Sequence, residues 1–188
     1  MTLILRSPTT RQVEWTPLIG ALSVARAVHS QLGIDSRVRW PNDVVVNVSK
    51  VAGLIAEGHQ QGDSLEFVLL GIGVNANFES RQLLDRKVDA VTLMDLNGGT
   101  VDNSSLVCNI LLELEELLSL AASDPQQVLE FLRRRDNSAG RTIKVVMEDQ
   151  TVEGVFVDYQ SLGAALVHSK GERLIVPASS ALLVEYSE

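Results

Sequence analysis

The spacing of apolar residues changes period four times along this chain, and that alternation limits the fold more than any other feature. A repeat of three and four residues marks a helix with an apolar face, whereas short runs bounded by turn residues mark strands. Residues 16–32 follow the first pattern. Thr16-Pro17 places a cap before a proline at the first helical position, Leu18, Leu22, Ala25, Val28 and Leu32 share a face, and Gly33 ends the run. Residues 37–40, 44–47, 51–57 and 65–71 follow the second, separated by Pro41-Asn42-Asp43, by residues 47–50 and by Gly62-Asp63. This spacing predicts an antiparallel meander, with residues 1–5 as a strand entered without a lead-in, inside a sheet, and broken at Pro8. Helical spacing then returns: a short helix at 80–87, a long one capped by Asp102 with Leu106, Ile110, Leu114, Leu117 and Leu118 on one face, and a third opened by Asp124-Pro125 and ending near Arg135. From Arg141 the strand pattern resumes at 142–147, 151–157, 164–167, 174–176 and 182–186, with turn residues at 148–150, 161–163 and 169–171.

The expected fold is therefore α+β: a mixed or antiparallel sheet packed with helices over residues 1–137, then a small β-barrel over 138–188. The boundary is placed at the polar, flexible stretch 137–140. With 188 residues, 45% of them hydrophobic, the chain can bury a core without covalent staples. One cysteine, Cys108, and three scattered histidines, His29, His59 and His168, argue against a disulfide framework or a protein-held metal. Cys108 is expected on the apolar side of the long helix as a small core residue. Sixteen basic against 24 acidic residues give a net charge of −8, and the one dense basic run, Arg133-Arg134-Arg135, sits where a helix C-terminus attracts cations. No nucleic-acid surface is expected. No apolar run reaches the roughly 18 residues of a membrane span, and Met1 opens no leader-like segment, so the cytoplasm is the expected compartment.

Three clusters carry candidate chemistry. Arg39-Trp40-Pro41-Asn42-Asp43 joins a cation, an indole, a rigid turn and two hydrogen-bonding side chains at a strand end, which suits a small ligand and equally an ordinary surface turn. Lys50 precedes Val51-Ala52-Gly53-Leu54-Ile55; its ammonium can neutralise a carboxylate or phosphate, or simply be a solvated turn lysine. Gly53 inside a strand marks a bulge or a close approach by a ligand or another backbone. In Gly71-Ile72-Gly73-Val74-Asn75 the alternate glycines admit a bound group, and Asn75 can read an adenine edge. This is neither a dinucleotide fingerprint nor a P-loop, because the third glycine and the Gly-Lys-Ser/Thr run are both absent.

The order Trp40-Pro41-Asn42-Asp43, Lys50-Val51-Ala52-Gly53 with Glu57, and Gly71-Ile72-Gly73-Val74-Asn75 resembles the central signature of the biotin protein ligases. The likeness extends to the strand near Leu3, the helix at 16–32, Val91-Thr92-Leu93 and the terminal strands opening at Gly140-Arg141. It implies the biotin/lipoate ligase fold, similar to class II aminoacyl-tRNA synthetases. It also implies attachment of biotin to the lysine of a biotin carboxyl carrier protein through biotinyl-AMP, with ATP, biotin and nucleotide-borne Mg2+. Under that resemblance Lys50 offsets charge beside the biotin carboxylate and adenylate phosphate, and Asp43 assists the attack of the carrier amine. Arg39, where the family usually has lysine, and Asn42 hold phosphate or metal-bound oxygens. Gly53 and Gly73 make room, Asn75 meets adenine, and Trp40 stands among the binding residues mainly as scaffold.

One departure is expected to matter. The family carries a Gly-Arg-Gly-Arg-type loop ahead of the strand near Leu3, and none occurs here. The sequence thus reads as a ligase shortened at its N-terminus. The alternatives are a non-catalytic module that binds adenylate, carrier or subunit, and a lipoate ligase relative. A homodimer through a sheet edge is a further expectation.

Overall fold

The computed structural model describes residues 1–6, 10–61, 64–83 and 89–187. The expected break at Pro8, the turn at Gly62-Asp63 and the far end of the helix expected at 80–87 lie outside them. Five strands form the first sheet: β1 (Thr2–Arg6), β2 (Ser36–Arg39), β3 (Asp43–Val46), β4 (Ser49–Gln61) and β5 (Ser64–Val74), in the order β1-β5-β4-β3-β2. Every neighbouring pair is antiparallel, as the meander requires. Residues 2–6 do not enter inside the sheet: β1 is an end strand, paired with β5 alone among the described residues.

Helix α1 (Thr10–Leu32) covers one face of this sheet. It begins six residues before Thr16, so Pro17 sits inside the helix rather than at its start. An interior proline removes one ladder bond, and burial of Trp15, Leu18 and Ile19 offsets that loss. The amphipathic reading was also too narrow. Ala21, Leu22, Val24, Ala25, Ala27 and Val28 are all fully buried, so α1 is enclosed on nearly every side. Its approach to the sheet needs Gly20, where a β-carbon would stand 2.6 Å from Leu54 Cδ2.

After the one-turn helix α2 (Leu93–Asn97), helix α3 (Asn103–Ser123) packs on α1, and α4 (Pro125–Arg134) follows. Asp102 caps α3, accepting from the Ser104 and Ser105 amides, while Leu106, Ile110, Leu114 and Leu117 are buried. Cys108, in contrast, is exposed. At 100° per residue it lies about 200° from Leu106, on the face opposite the buried stripe. Asp124 caps α4 with Pro125 in its first turn, and Arg133 and Arg134 occupy its last turn.

The second sheet holds β6 (Thr142–Val146), β7 (Thr151–Tyr159), β8 (Ala165–Ser169), β9 (Glu172–Val176) and β10 (Leu183–Ser187), all antiparallel, in the order β10-β6-β7-β8-β9. The strand count matches expectation, but hydrogen bonding leaves β10 and β9 as two ends and draws no closed barrel among the described residues. The stretch at 137–140 is not a loose tether. Asp136 accepts from the Ser138 and Ala139 amides, Asn137 donates to the Val38 and Asn47 carbonyls, and Ser138 is fully buried. One cluster of buried side chains runs from α1 and the first sheet into Ile143, Val145, Phe156 and Tyr159 of the second. No described helix is long and apolar enough to cross a membrane.

Candidate functional site

Antiparallel register sets the site. Arg39 is paired with Asp43, Asp43 with Gly53, and Gly53 with Gly73, so four strands contribute one transverse row on the face away from α1. Because side chains alternate across a strand, cation and carboxylate come to the same side as two glycines. The next rows along that face carry Ile55 opposite Gly71 and Ile4 opposite Leu69. Ile55 and Ile4 are exposed at 64% and 56%, which leaves an apolar shelf beside the charged row.

Asp43 is held from both sides. Arg39 Nη2 donates to Asp43 Oδ2 at 2.9 Å, and Lys50 Nζ forms an ion pair with Oδ1. All three side chains are half-buried, so these pairs are screened less than surface ones. Two cations on one carboxylate leave the trio with a net positive charge, the sign that receives an anion. Gly53 permits the arrangement: a β-carbon there would lie 2.7 Å from both Cε and Nζ of Lys50. The close approach expected at Gly53 is thus made by the lysine side chain. The Lys50 backbone is anchored in turn, its N–H donating to Asp89 and its carbonyl accepting from Val91.

The amides have defined jobs. Asn42 Nδ2 donates to the Leu54 carbonyl at 2.7 Å while the Leu54 N–H donates back to the Asn42 carbonyl at 3.0 Å, closing the turn onto β4. Asn75 Nδ2 donates to the Lys50 carbonyl at 3.2 Å, tying the end of β5 to the start of β4. In each case the side-chain oxygen and the second Nδ2 N–H are what the residue has to offer a ligand. Trp40, joined to Pro41 by a cis peptide, turns its indole into the core: it is 1% exposed and donates through Nε1 to the Gly163 carbonyl at 3.0 Å. Its role here is scaffold. Gly73 is exposed in the row, with the Gly53 carbonyl 3.6 Å from where a β-carbon would stand.

A cleft of about 420 Å³ opens at the Arg39–Asp43 end of this row, walled by Arg39, Asn42, Asp43 and Lys50 on one side and by Leu182, Val184 and Tyr186 on the other. Sequence reasoning missed Tyr186 and Asp89. Tyr186 comes from the second sheet, 147 positions after Arg39 in the chain, and no local pattern announces such a pairing. Asp89 lines the same cleft and accepts from Ser49 Oγ. Ile55 and Gly71 were inside recognised runs, yet their exposure on the open face depends on register. Another cleft, about 430 Å³, lies between α1 and α4. Its Arg26 is already paired with Glu113 and Glu116 and its Arg134 approaches Glu130, so the basic run at 133–135 is absorbed by the helices and by Arg133 pairing with Asp158. Among the described residues no group of three or more His, Cys, Asp or Glu side chains gathers as a metal site.

Residues 2–75 match the biotin/lipoate A/B protein ligase family. The chain is 32% identical over 119 residues to the bifunctional ligase/repressor BirA of Bacillus spizizenii, covering 62% of this chain and 36% of that protein. It is 27% identical over 169 residues to a biotin–[acetyl-CoA-carboxylase] ligase of Mycobacterium tuberculosis, covering 87% and 60%. The chain therefore spans between about a third and three fifths of these relatives. A biotin protein ligase from Aquifex aeolicus, solved in complex with biotin and ATP, superposes with a TM-score of 0.83 over 99% of this chain and 77% of that one, at 21% identity. That likeness establishes a shared fold.

Proposed function

We propose, from the match of residues 2–75 to the biotin/lipoate A/B protein ligase family, that the chain carries the adenylate side of a biotin protein ligase. In this reading biotin and ATP give biotinyl-AMP and pyrophosphate, and a lysine amine of a biotin carboxyl carrier protein then attacks the mixed anhydride and releases AMP. The observation that carries it is the grip of Arg39 and Lys50 on one carboxylate, Asp43, at the head of a glycine and isoleucine shelf. The shelf suits an apolar body and the cations suit the carboxylate and phosphate at its end.

Lys50 is the group that transfers its charge. When a ligand anion enters, its ammonium moves between Asp43 and the new oxygens, offsetting the negative charge that develops as the anhydride forms. Arg39 keeps Asp43 in place meanwhile. Asp43, released from Lys50, then orients the incoming amine for the second step. Asn75 presents Oδ1 toward the adenine amino group, Asn42 offers the second N–H of Nδ2 to phosphate-side oxygens, and Gly53 and Gly73 leave the space. Asn42 and Asp89, which line the cleft, are the side chains that would face a nucleotide-borne Mg2+, whose chemistry there would be to neutralise phosphate charge. These 188 residues contain no Gly-Arg-Gly-Arg run, so the proposal assigns that part of the biotin pocket to a segment other than these residues, joined to them or supplied in trans. Residues 1–137 form the ligase unit and 138–188 the appended one. A second copy pairing along an open edge of the first sheet is the dimer this reading expects.

The test is biotin-dependent exchange of pyrophosphate into ATP, with the Gly/Arg-rich segment present and absent. Exchange with biotin, cut on the order of 10²-fold by Lys50→Ala, supports the proposal. Exchange with lipoate instead makes the chain a lipoate relative. Nucleotide binding without exchange under either condition makes it a non-catalytic module.

A further inference from the structure

The wall of the cleft that comes from β10 does more than close it. The Tyr186 hydroxyl donates to the Trp40 carbonyl at 2.7 Å and shares a hydrogen bond with Ser138 Oγ at 3.1 Å, while Ser138 Oγ accepts from the Trp40 N–H at 2.9 Å. Burial raises the phenol's pKa, so the hydroxyl keeps its proton and remains a donor. Held at its polar end, the ring lies against the residue that precedes Trp40: the Arg39 guanidinium carbon is 5.5 Å from the ring centroid. That guanidinium also donates from Nη1 to the Val48 carbonyl at 3.3 Å and from Nη2 to Asp43 at 2.9 Å. A planar fork with one face on an aromatic ring and two nitrogens committed has little freedom left. A lysine would have neither the plane nor the second nitrogen.

We propose that Tyr186 is a positioning residue. From the second sheet it fixes the Arg39 guanidinium, and through Arg39 it holds Asp43 so that Lys50 can turn to an anionic ligand in the cleft. The ligand site is therefore shared between the two sheets. This rests on the adenylate reading for the identity of the ligand, but the clamp itself is independent of it.

Two measurements on the full chain test it: the Arg39 Nε–H resonance in arginine-labelled protein, and ATP affinity by calorimetry. Tyr186→Leu should move the resonance to the position of a free guanidinium and weaken ATP roughly five- to tenfold. Tyr186→Phe keeps the ring and should leave the resonance in place. Arg39→Lys should bring the same loss of affinity with Tyr186 intact, and adding Tyr186→Leu to it should change affinity less than about twofold. An unmoved resonance in Tyr186→Leu, wild-type affinity in Arg39→Lys, or losses that multiply in the double variant would each overturn the proposal. If the wild-type chain takes no ATP, the adenylate reading fails while the resonance still decides the clamp.

Discussion

At Gly53 a methyl group would meet Lys50 at 2.7 Å, and the atoms it would meet, Cε and Nζ, are the movable end of a long side chain. Gly53→Ala should therefore displace the ammonium from Asp43 and leave the sheet intact. The expected result is a urea midpoint shifted by less than about 1 kcal/mol, with nucleotide affinity down on the order of tenfold. Equal losses of stability and affinity would mean that the glycine serves the fold alone. The sequence shows why Gly53 is unusual, since a glycine weakens a strand interior. It does not show what comes close, because the approach depends on Lys50 folding back across its own strand.

Strands and helices were legible where turn chemistry and apolar period agree. Asp102 illustrates this: Ser105 Oγ and the Ser105 and Ser104 amides all donate to its carboxylate, and they hold its pKa below the ordinary 3.8. A depressed carboxylate stabilises the fold above its unfolded pKa, and the contribution is lost as pH falls through the lower folded value. Asp102→Ala should thus melt below wild type at pH 7, and the gap should close as pH falls below 3.8. A gap that persists into strong acid would contradict the capping role. Where local signals conflicted, tertiary burial decided. Pro17 read as a helix start, yet α1 runs back to Thr10, and its own Trp15, upstream of the proline, is buried in the core. Cys108 read as core because its neighbours are apolar, but the buried stripe of α3 passes on the other side.

For the whole molecule, the two sheets meet at Trp40. Its indole packs 6.2 Å from Phe156 and bonds Gly163, while its backbone bonds Ser138 and Tyr186. Trp40→Phe removes a buried donor from the Gly163 carbonyl and should cost roughly 1–3 kcal/mol in a denaturant melt; an unchanged midpoint would show that the indole is not what joins the sheets. This union is the part of the site that sequence order conceals, since Arg39 and Tyr186 meet only through the chain's far ends. The near part, Arg39 to Asp43 with Lys50 and Gly53, was legible because it lies within one local meander of three consecutive strands, β2 to β4. As proposed above, Lys50 and Asp43 form the anion-receiving pole of an adenylate site. The most direct measurement is calorimetric titration of a non-hydrolysable biotinyl-adenylate into the wild-type chain and Lys50→Ala, each with the Gly/Arg-rich segment supplied. Binding by the wild type, weakened at least about tenfold in the variant, is the predicted result; no binding by the wild type, or equal binding by both, would contradict it.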